Sequence, residues 1–299
     1  MIAIIAYAML NIGNALMKKG ATELPPIEET SGKDNIKNFV KSKIWLVGFI
    51  MTSVQWYIFL FALNFAPVSL LTPLMGVGLV ILVLFSYFYL KEPIGRFEIV
   101  GMIAIIFGVV ILGATTSGED ATFTLIEINE IFWVWDSILY TLIVLGLAVG
   151  LMSYCKFTRF KHADIFFGIG SGLLLGLGTI YSKAFMAGIL GSPVLETLAT
   201  WQWYIYLVLI IVGNMGNMVT LQVGFQKGKA VVVSPLNAVF NVMISVFGGI
   251  IIFSEWAGLD LVIITWNIIA LVSILIGVAV LSLLTTKEEK KPEERPSSA

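Results

Sequence analysis

One cysteine, Cys155, and one histidine, His162, are all that this 299-residue chain holds of two residue types central to metal binding and redox chemistry. A lone cysteine forms no disulfide or cysteine metal cluster within the chain. Charge is scarce as well: 12% of residues are Asp, Glu, Lys or Arg, against roughly 25% in an average soluble domain, and 58% are apolar. That balance cannot clothe a water-soluble surface. A glycine-rich phosphate loop ahead of a lysine, paired histidine ligands, a nucleophile elbow and a basic groove are all missing. No enzyme chemistry, cofactor or nucleic-acid partner is therefore expected. No Asp or Glu falls in the middle of a long apolar stretch, which disfavours proton-coupled export of cationic drugs, a mechanism that needs a membrane-embedded acid.

What is present is apolar length. A bilayer core needs roughly 20 mostly apolar residues per spanning helix. Nine such stretches occur, near Met1–Met17, Ile44–Phe65, Val68–Leu90, Phe97–Thr115, Phe132–Ser153, Ile165–Gly188, Trp201–Gly224, Ala230–Phe253 and Leu261–Thr285. The first has no basic residue ahead of it and Lys18 and Lys19 behind it, the reverse of a secretory signal, so it counts as a span. The expected fold is an all-α, multi-pass membrane protein of nine transmembrane helices in a lipid bilayer, the cell membrane being the expected location.

Cytoplasmic loops hold most Lys and Arg. Here the basic residues sort into alternate loops: Lys18–Lys43, then Lys91 and Arg96, Lys156–Lys161, Lys227 and Lys229, and the tail from Lys287. The loops at Asn64–Pro67, Thr116–Ile131, Leu190–Thr200 and Ser254–Asp260 have none, and only Lys183 lies within a span. The N-terminus is thus expected outside and the C-terminus in the cytoplasm. Outward segments carry acids alone, among them Glu127, Glu196 and Glu255, which would concentrate cations unless they merely record the removal of basic residues. Trp133, Trp135, Trp201, Trp203 and Trp256 fall at the outer boundary and Trp45 at the inner one, as interfacial anchors. Lys18–Lys43, with Pro25 and Pro26, reads as a mobile connection, Thr116–Ile131 as partly a short surface helix, and the tail after Thr286 as disordered.

The two halves match. Val68-Ser69-Leu70-Leu71-Thr72-Pro73-Leu74 resembles Ala230-Val231-Val232-Val233-Ser234-Pro235-Leu236, and each opens a span ending in an acid, Glu92 or Glu255. The following spans end in Gly108-Val109 and Gly277-Val278, while Gly13 and Lys18 are answered by Gly178 and Lys183. An odd helix between the units inverts the second copy. The division expected is 1–115 for the first four-helix repeat, 116–153 for an external loop and linking helix, 154–285 for the inverted repeat and 286–299 for the tail. Such symmetry offers a route to alternating access, because exchanging the conformations of the halves exchanges the open side. Glu92 and Glu255 then fall near opposite mouths.

Polar groups at bilayer depth are costly and tend to face a bundle interior or a wet cavity. Asn11 and Asn14, Asn214 and Asn217, and Asn237 and Asn241 each share a helix face, and with Thr179 they are expected to line one cavity. Gln55, Ser182, Gln222 and Ser245 are further candidates. The alternative is that the amides only bond between helices, each worth about 0.6–2 kcal/mol. Pro73 and Pro235 sit in the first turns of their stretches, fit for helix initiation, with a hinge as alternative. Gly168, Gly172 and Gly176 make the sixth stretch slim enough for close packing. Lys183 lies about five residues from the outer end, near enough to snorkel to the interface. Its alternative role is a fixed charge that binds an anion, or repels cations until a carboxylate such as Glu255 neutralises it.

Phe65-Ala66-Pro67, Thr72-Pro73-Leu74 and Tyr89-Leu90-Lys91-Glu92, with a glycine-rich helix following, resemble the drug/metabolite transporter superfamily. Nine spans, Lys18-Lys19-Gly20, Ser182-Lys183-Ala184 and Phe253-Ser254-Glu255-Trp256 resemble its NIPA-type magnesium transporters. The resemblance implies passage of a divalent cation, magnesium first. Without mid-span carboxylates no tight metal site is expected; amide and carbonyl oxygens would grip a hydrated ion. A carrier of a small polar or anionic metabolite using Lys183, and a non-transporting scaffold or receptor, stay open at this stage, as does a homo-oligomer.

Overall fold

The computed structural model describes residues 2–22, 41–85, 87–88, 95–115, 123–227 and 230–288. Glu92, most of the Lys18–Lys43 connection and the tail beyond Glu288 lie outside them, as do the side chains of Asn14, Gln222 and Pro235. The elements are α1 (Ile2–Thr22), α2 (Lys43–Leu63), α3 (Val68–Leu71), α4 (Met75–Phe85), α5 (Arg96–Thr115), α6 (Leu125–Phe132), α7 (Trp135–Phe157), α8 (Ala163–Leu190), α9 (Val194–Ala199), α10 (Trp201–Lys227), α11 (Ala230–Ile251) and α12 (Leu261–Glu288). Among the described residues there is no strand.

Among the described residues, six segments are long and apolar enough to cross a bilayer: Lys43–Leu63, Val68–Phe85, Trp135–Phe157, Ala163–Leu190, Trp201–Leu221 and Leu261–Leu281. Shorter apolar helices occupy Ile2–Gly13, Ile99–Thr115 and Leu236–Ile251. Large side chains such as Phe97, Val110, Leu142, Val208 and Ile276 point outward, as a surface solvated by lipid tails requires. α12 continues in helix to Glu288, past the point where the charged tail was expected to lose structure.

α8 is the central helix and packs against α7, α10 and α11. Its glycines explain how. A Cβ on Gly172 would stand 2.6 Å from the Asn237 carbonyl, and one on Gly168 3.1 Å from that of Val233, both on α11. On its other side Gly178 meets α10, where a Cβ on Gly213 would lie 2.6 Å from the Gly178 Cα. α1 crosses α2 in the same manner: a Cβ on Gly13 would be 2.9 Å from the Gly48 carbonyl. Close backbone approach through small residues is how helices associate where lipid supplies no hydrophobic drive.

α5 and α12 pair antiparallel around a second core of Ile105, Leu112, Ala270, Ile274, Val278 and Leu281. Their contact is reciprocal. Gly108 abuts the Ala270 carbonyl and Ile274, while Gly277 abuts the Gly101 carbonyl, at 2.6 Å from its would-be Cβ, and Ile105.

The third apolar stretch is not one helix. It breaks at Thr72–Leu74, where Met75, Gly76 and Val77 each donate to the carbonyl three residues back. Pro73 therefore sits in a break between α3 and α4 rather than in a first turn: it lacks an N–H, which leaves the Ser69 carbonyl without its usual helical donor. Pro235 falls in the second turn of α11, likewise beyond the first. α6 is the short helix expected in the segment before Trp133, opened by a capping box between Thr124 and Glu127. One face of it stays at the surface, with Ile126, Glu127 and Glu130 exposed, and the other buries Leu125, Ile128 and Phe132 in the main core.

Candidate functional site

The four segments free of basic residues converge at one end of the bundle. Phe123 packs on Phe253 with centroids 5.7 Å apart, the Leu125 N–H donates to Ser192 Oγ, and Lys183 Nζ donates to the Ala66 carbonyl at 3.2 Å. At the other end Lys227 Nζ lies 5.5 Å over the Phe160 ring, joining two of the basic segments.

The first of two polar clusters lies at the basic-free end. Lys183 Nζ pairs with Glu255 Oε1 at 3.2 Å, with side chains only 2% and 6% exposed. The same carboxylate accepts the Val68 N–H on Oε1 at 2.6 Å and the Ser69 N–H on Oε2 at 2.8 Å, capping α3. Phe253 and Phe123 place their faces 4.8 and 5.4 Å from Nζ. Phe132 backs them, 5.6 Å from Phe253, 5.1 Å from Tyr181 and 5.3 Å from Tyr206. Lys183 therefore does not snorkel: its ammonium is held inside, where a carboxylate, a carbonyl and two ring faces replace water. Glu255 likewise is no loose outward acid.

Two backbone devices seat that carboxylate. Ser254 takes a left-handed conformation with φ of 52°, and the Glu255 N–H returns to the Gly249 carbonyl at 3.1 Å, so the chain folds back over the end of α11. Gly249 then has no Cβ where one would collide with Glu255 Oε2 and stand 3.2 Å from the Ser69 nitrogen.

The second cluster lies deeper. Asn237 Nδ2 donates to Asn217 Oδ1 at 2.8 Å and to Ser171 Oγ at 2.9 Å, tying α11 to α10 and α8. Asn241, one turn along α11, turns its Nδ2 toward Met75 Sδ at 3.7 Å, beside the break between α3 and α4. Asn241 Oδ1 and Thr72 Oγ1 are both buried without a hydrogen-bond partner. Ser245 Oγ reaches toward the Gly176 carbonyl at 3.5 Å.

The expected amide set thus divides. Asn217, Asn237 and Asn241 fall in one neighbourhood with Thr72 and Ser171. Asn11 and Asn214 bond back to the Tyr7 and Ile210 carbonyls of their own helices, and Thr179 to that of Leu175. Asn11 fills the space beside Gly78, and Asn214 that beside Gly178. Thr72 was missed because a threonine ahead of a proline reads as helix-start chemistry. Asn267, buried on α12 and bonded to Thr115 Oγ1, was missed because it has no second amide on its face. Among the described residues no three His, Cys, Asp or Glu side chains converge.

A family model described as magnesium transporter NIPA matches residues 1–289. The probable magnesium transporter NIPA9 of Arabidopsis thaliana is 29% identical over 258 residues, covering 84% of this chain and 72% of that protein. The probable magnesium transporter NIPA6 of Arabidopsis thaliana is 21% identical over 302 residues, 98% of this chain and 88% of the relative. Magnesium transporter NIPA4 of Homo sapiens is 22% identical over 290 residues, 94% and 70% of the two chains. No solved structure matches. With a family match running over nearly its whole length, this multi-pass membrane chain belongs to the magnesium transporter NIPA family.

Proposed function

We propose that this protein is a membrane carrier for magnesium, with the ion as cargo and the neutral interior cluster as its path. The observation that carries the proposal is the pair of buried, partnerless oxygens at a broken helix, Thr72 Oγ1 in the break itself and Asn241 Oδ1 on α11 beside it. An unsatisfied buried polar atom costs about 1–3 kcal/mol, so its retention calls for a use. Discontinuous helices recur where transporters bind their cargo, because freed backbone groups and side-chain oxygens face the passage. Magnesium dehydrates reluctantly and keeps several waters, so amide, hydroxyl and carbonyl oxygens suit it as a transient grip. Asn217 and Asn237 fix the wall from which Asn241 projects; Asn11, Asn214 and Thr179 line its flanks.

The carrier works by alternating access between inverted four-helix repeats joined by α7, with nine spans, the N-terminus outside and the tail in the cytoplasm. The reciprocal α5–α12 contact supports that symmetry. The alignment that pairs Gly108-Val109 with Gly277-Val278 also pairs Gly101 with Ala270 and Ile105 with Ile274, and so exchanges one half of the contact with the other. Antiparallel helices related in this way have their pseudo-twofold axis across them, in the membrane plane. Voltage is a sufficient driving force, since a divalent ion gains about 4.6 kcal/mol per 100 mV of inside-negative potential. A metabolite anion is disfavoured, because the Lys183 ammonium is already held by Glu255 and the Ala66 carbonyl.

The test is magnesium uptake into liposomes holding the purified protein under an imposed inside-negative potential. Wild type takes up magnesium in proportion to voltage; Asn241→Leu and Asn214→Leu, eluting as folded protein, do not. Correctly inserted wild type that moves no magnesium overturns the proposal.

A further inference from the structure

Lys183 and Glu255 belong to α8 and the end of α11, in the second half of the chain, whereas Ala66, Val68 and Ser69 lead into the broken helix of the first half. One carboxylate thus serves three donors, two of them backbone amides of the opposite half. We propose that this junction is a latch that holds the outer end of the pathway shut, with Glu255 as its bolt, and that its bonds are exchanged for water together when that end opens. The inference rests on the carrier reading and on the orientation set by the basic residues.

The reason for all-or-none release is burial. Drawing the carboxylate away in a dry site leaves a carboxylate and two amides unpaired and an ammonium without its counter-ion at once, which is far costlier than the same step in water. Partial opening has no low-energy stage until water reaches the site, and Phe123, Phe253 and Phe132 close over it on the core side. The junction is also more than a salt bridge. The left-handed Ser254 and the missing Cβ of Gly249 serve to aim a carboxylate at the start of α3, and a plain ion pair with Lys183 has no need of either.

The experiment reads accessibility, not transport. In a Cys155→Ser background, Thr72→Cys is a buried reporter beyond α3, labelled by a membrane-impermeant thiol reagent in right-side-out vesicles. Glu255→Met and the double variant Lys183→Met/Glu255→Met are expected to raise the labelling rate about tenfold, the shift in open population that loss of the bolt implies. The double variant buries no unpaired charge and carries the test if the single variant does not fold. The exchange Lys183→Glu/Glu255→Lys is expected to label fast too, because a lysine at 255 cannot accept the Val68 and Ser69 N–H bonds. Slow labelling in the exchanged protein would reduce the junction to an ion pair and overturn the shared-carboxylate latch. Labelling at the parent rate in the double variant would overturn the latch altogether. Either failure leaves the magnesium reading standing, and fast labelling in these variants, with a protein of unaltered Thr72 that moves no magnesium, defeats that reading alone.

Discussion

Glu255 and Val68 are 187 positions apart in the chain, yet the carboxylate of one accepts the backbone N–H of the other at 2.6 Å. The bond crosses from the second half of the molecule to the first, in a place made for it by the absence of a side chain on Gly249. Gly249→Ala should therefore act on the junction without altering a charge. We expect a loss of about 1–3 kcal/mol, the range for forcing a methylene into a packed site, seen as a lower thermal midpoint in detergent.

Thr72 separates stability from function. Its hydroxyl is buried without a partner, so Thr72→Val removes a polar group that contributes nothing to the fold. Unfolding in detergent should show a midpoint equal to or higher than that of wild type, by about 1 kcal/mol at most. Magnesium uptake by the same protein should fall. Unchanged uptake would take Thr72 off the path.

The Asn237 to Asn217 bond ties α11 to α10; removing Asn237 takes this donor from Asn217 Oδ1, whereas removing Asn217 leaves Asn237 its bond to Ser171. A double-mutant cycle with Asn237→Ala and Asn217→Ala should give a coupling energy of about 0.6–2 kcal/mol. Additive losses would mean that the amides act independently.

Glu127 has a pH signature. The Thr124 backbone N–H, and then its hydroxyl, bond the carboxylate and hold its pKa below the ordinary value of 4.5. A depressed folded-state pKa means that the cap's contribution is fully present above about pH 4.5 and is lost as pH falls through the folded value. Hydrogen exchange of the α6 amides should accelerate over that acid range and not between pH 6 and about 8, and Glu127→Gln should flatten the profile.

Much of the fold is legible from apolar length alone, since a bilayer obliges each crossing segment to satisfy its own backbone in a helix. The loops that meet around Lys183 were likewise marked by their lack of basic residues. Depth along α8, however, does not reveal what covers a side chain. Phe123 and Phe253 come from distant segments, and their arrival converts a lysine near a helix end into one sealed inside. The break at Thr72–Leu74 was hidden because no charged residue lies near it, so the run looks continuous although Pro73 withholds a donor. Asn217, Asn237 and Asn241 meet in one neighbourhood, but Asn11 and Asn214 had the option of bonding to their own helices, which spacing does not exclude.

The crossing of α5 and α12 has a consequence for how such a molecule moves. On the proposed alternating-access cycle, a point on the twofold axis keeps its place when the two halves trade conformations, which would make the contact of Gly101, Gly108, Ala270 and Gly277 a fulcrum. The travel needed to open either side is then set by leverage from this pivot. Spin labels flanking it should keep one separation throughout the cycle, while labels at the two membrane surfaces swing in opposite senses, like the ends of a seesaw balanced on a pair of glycines.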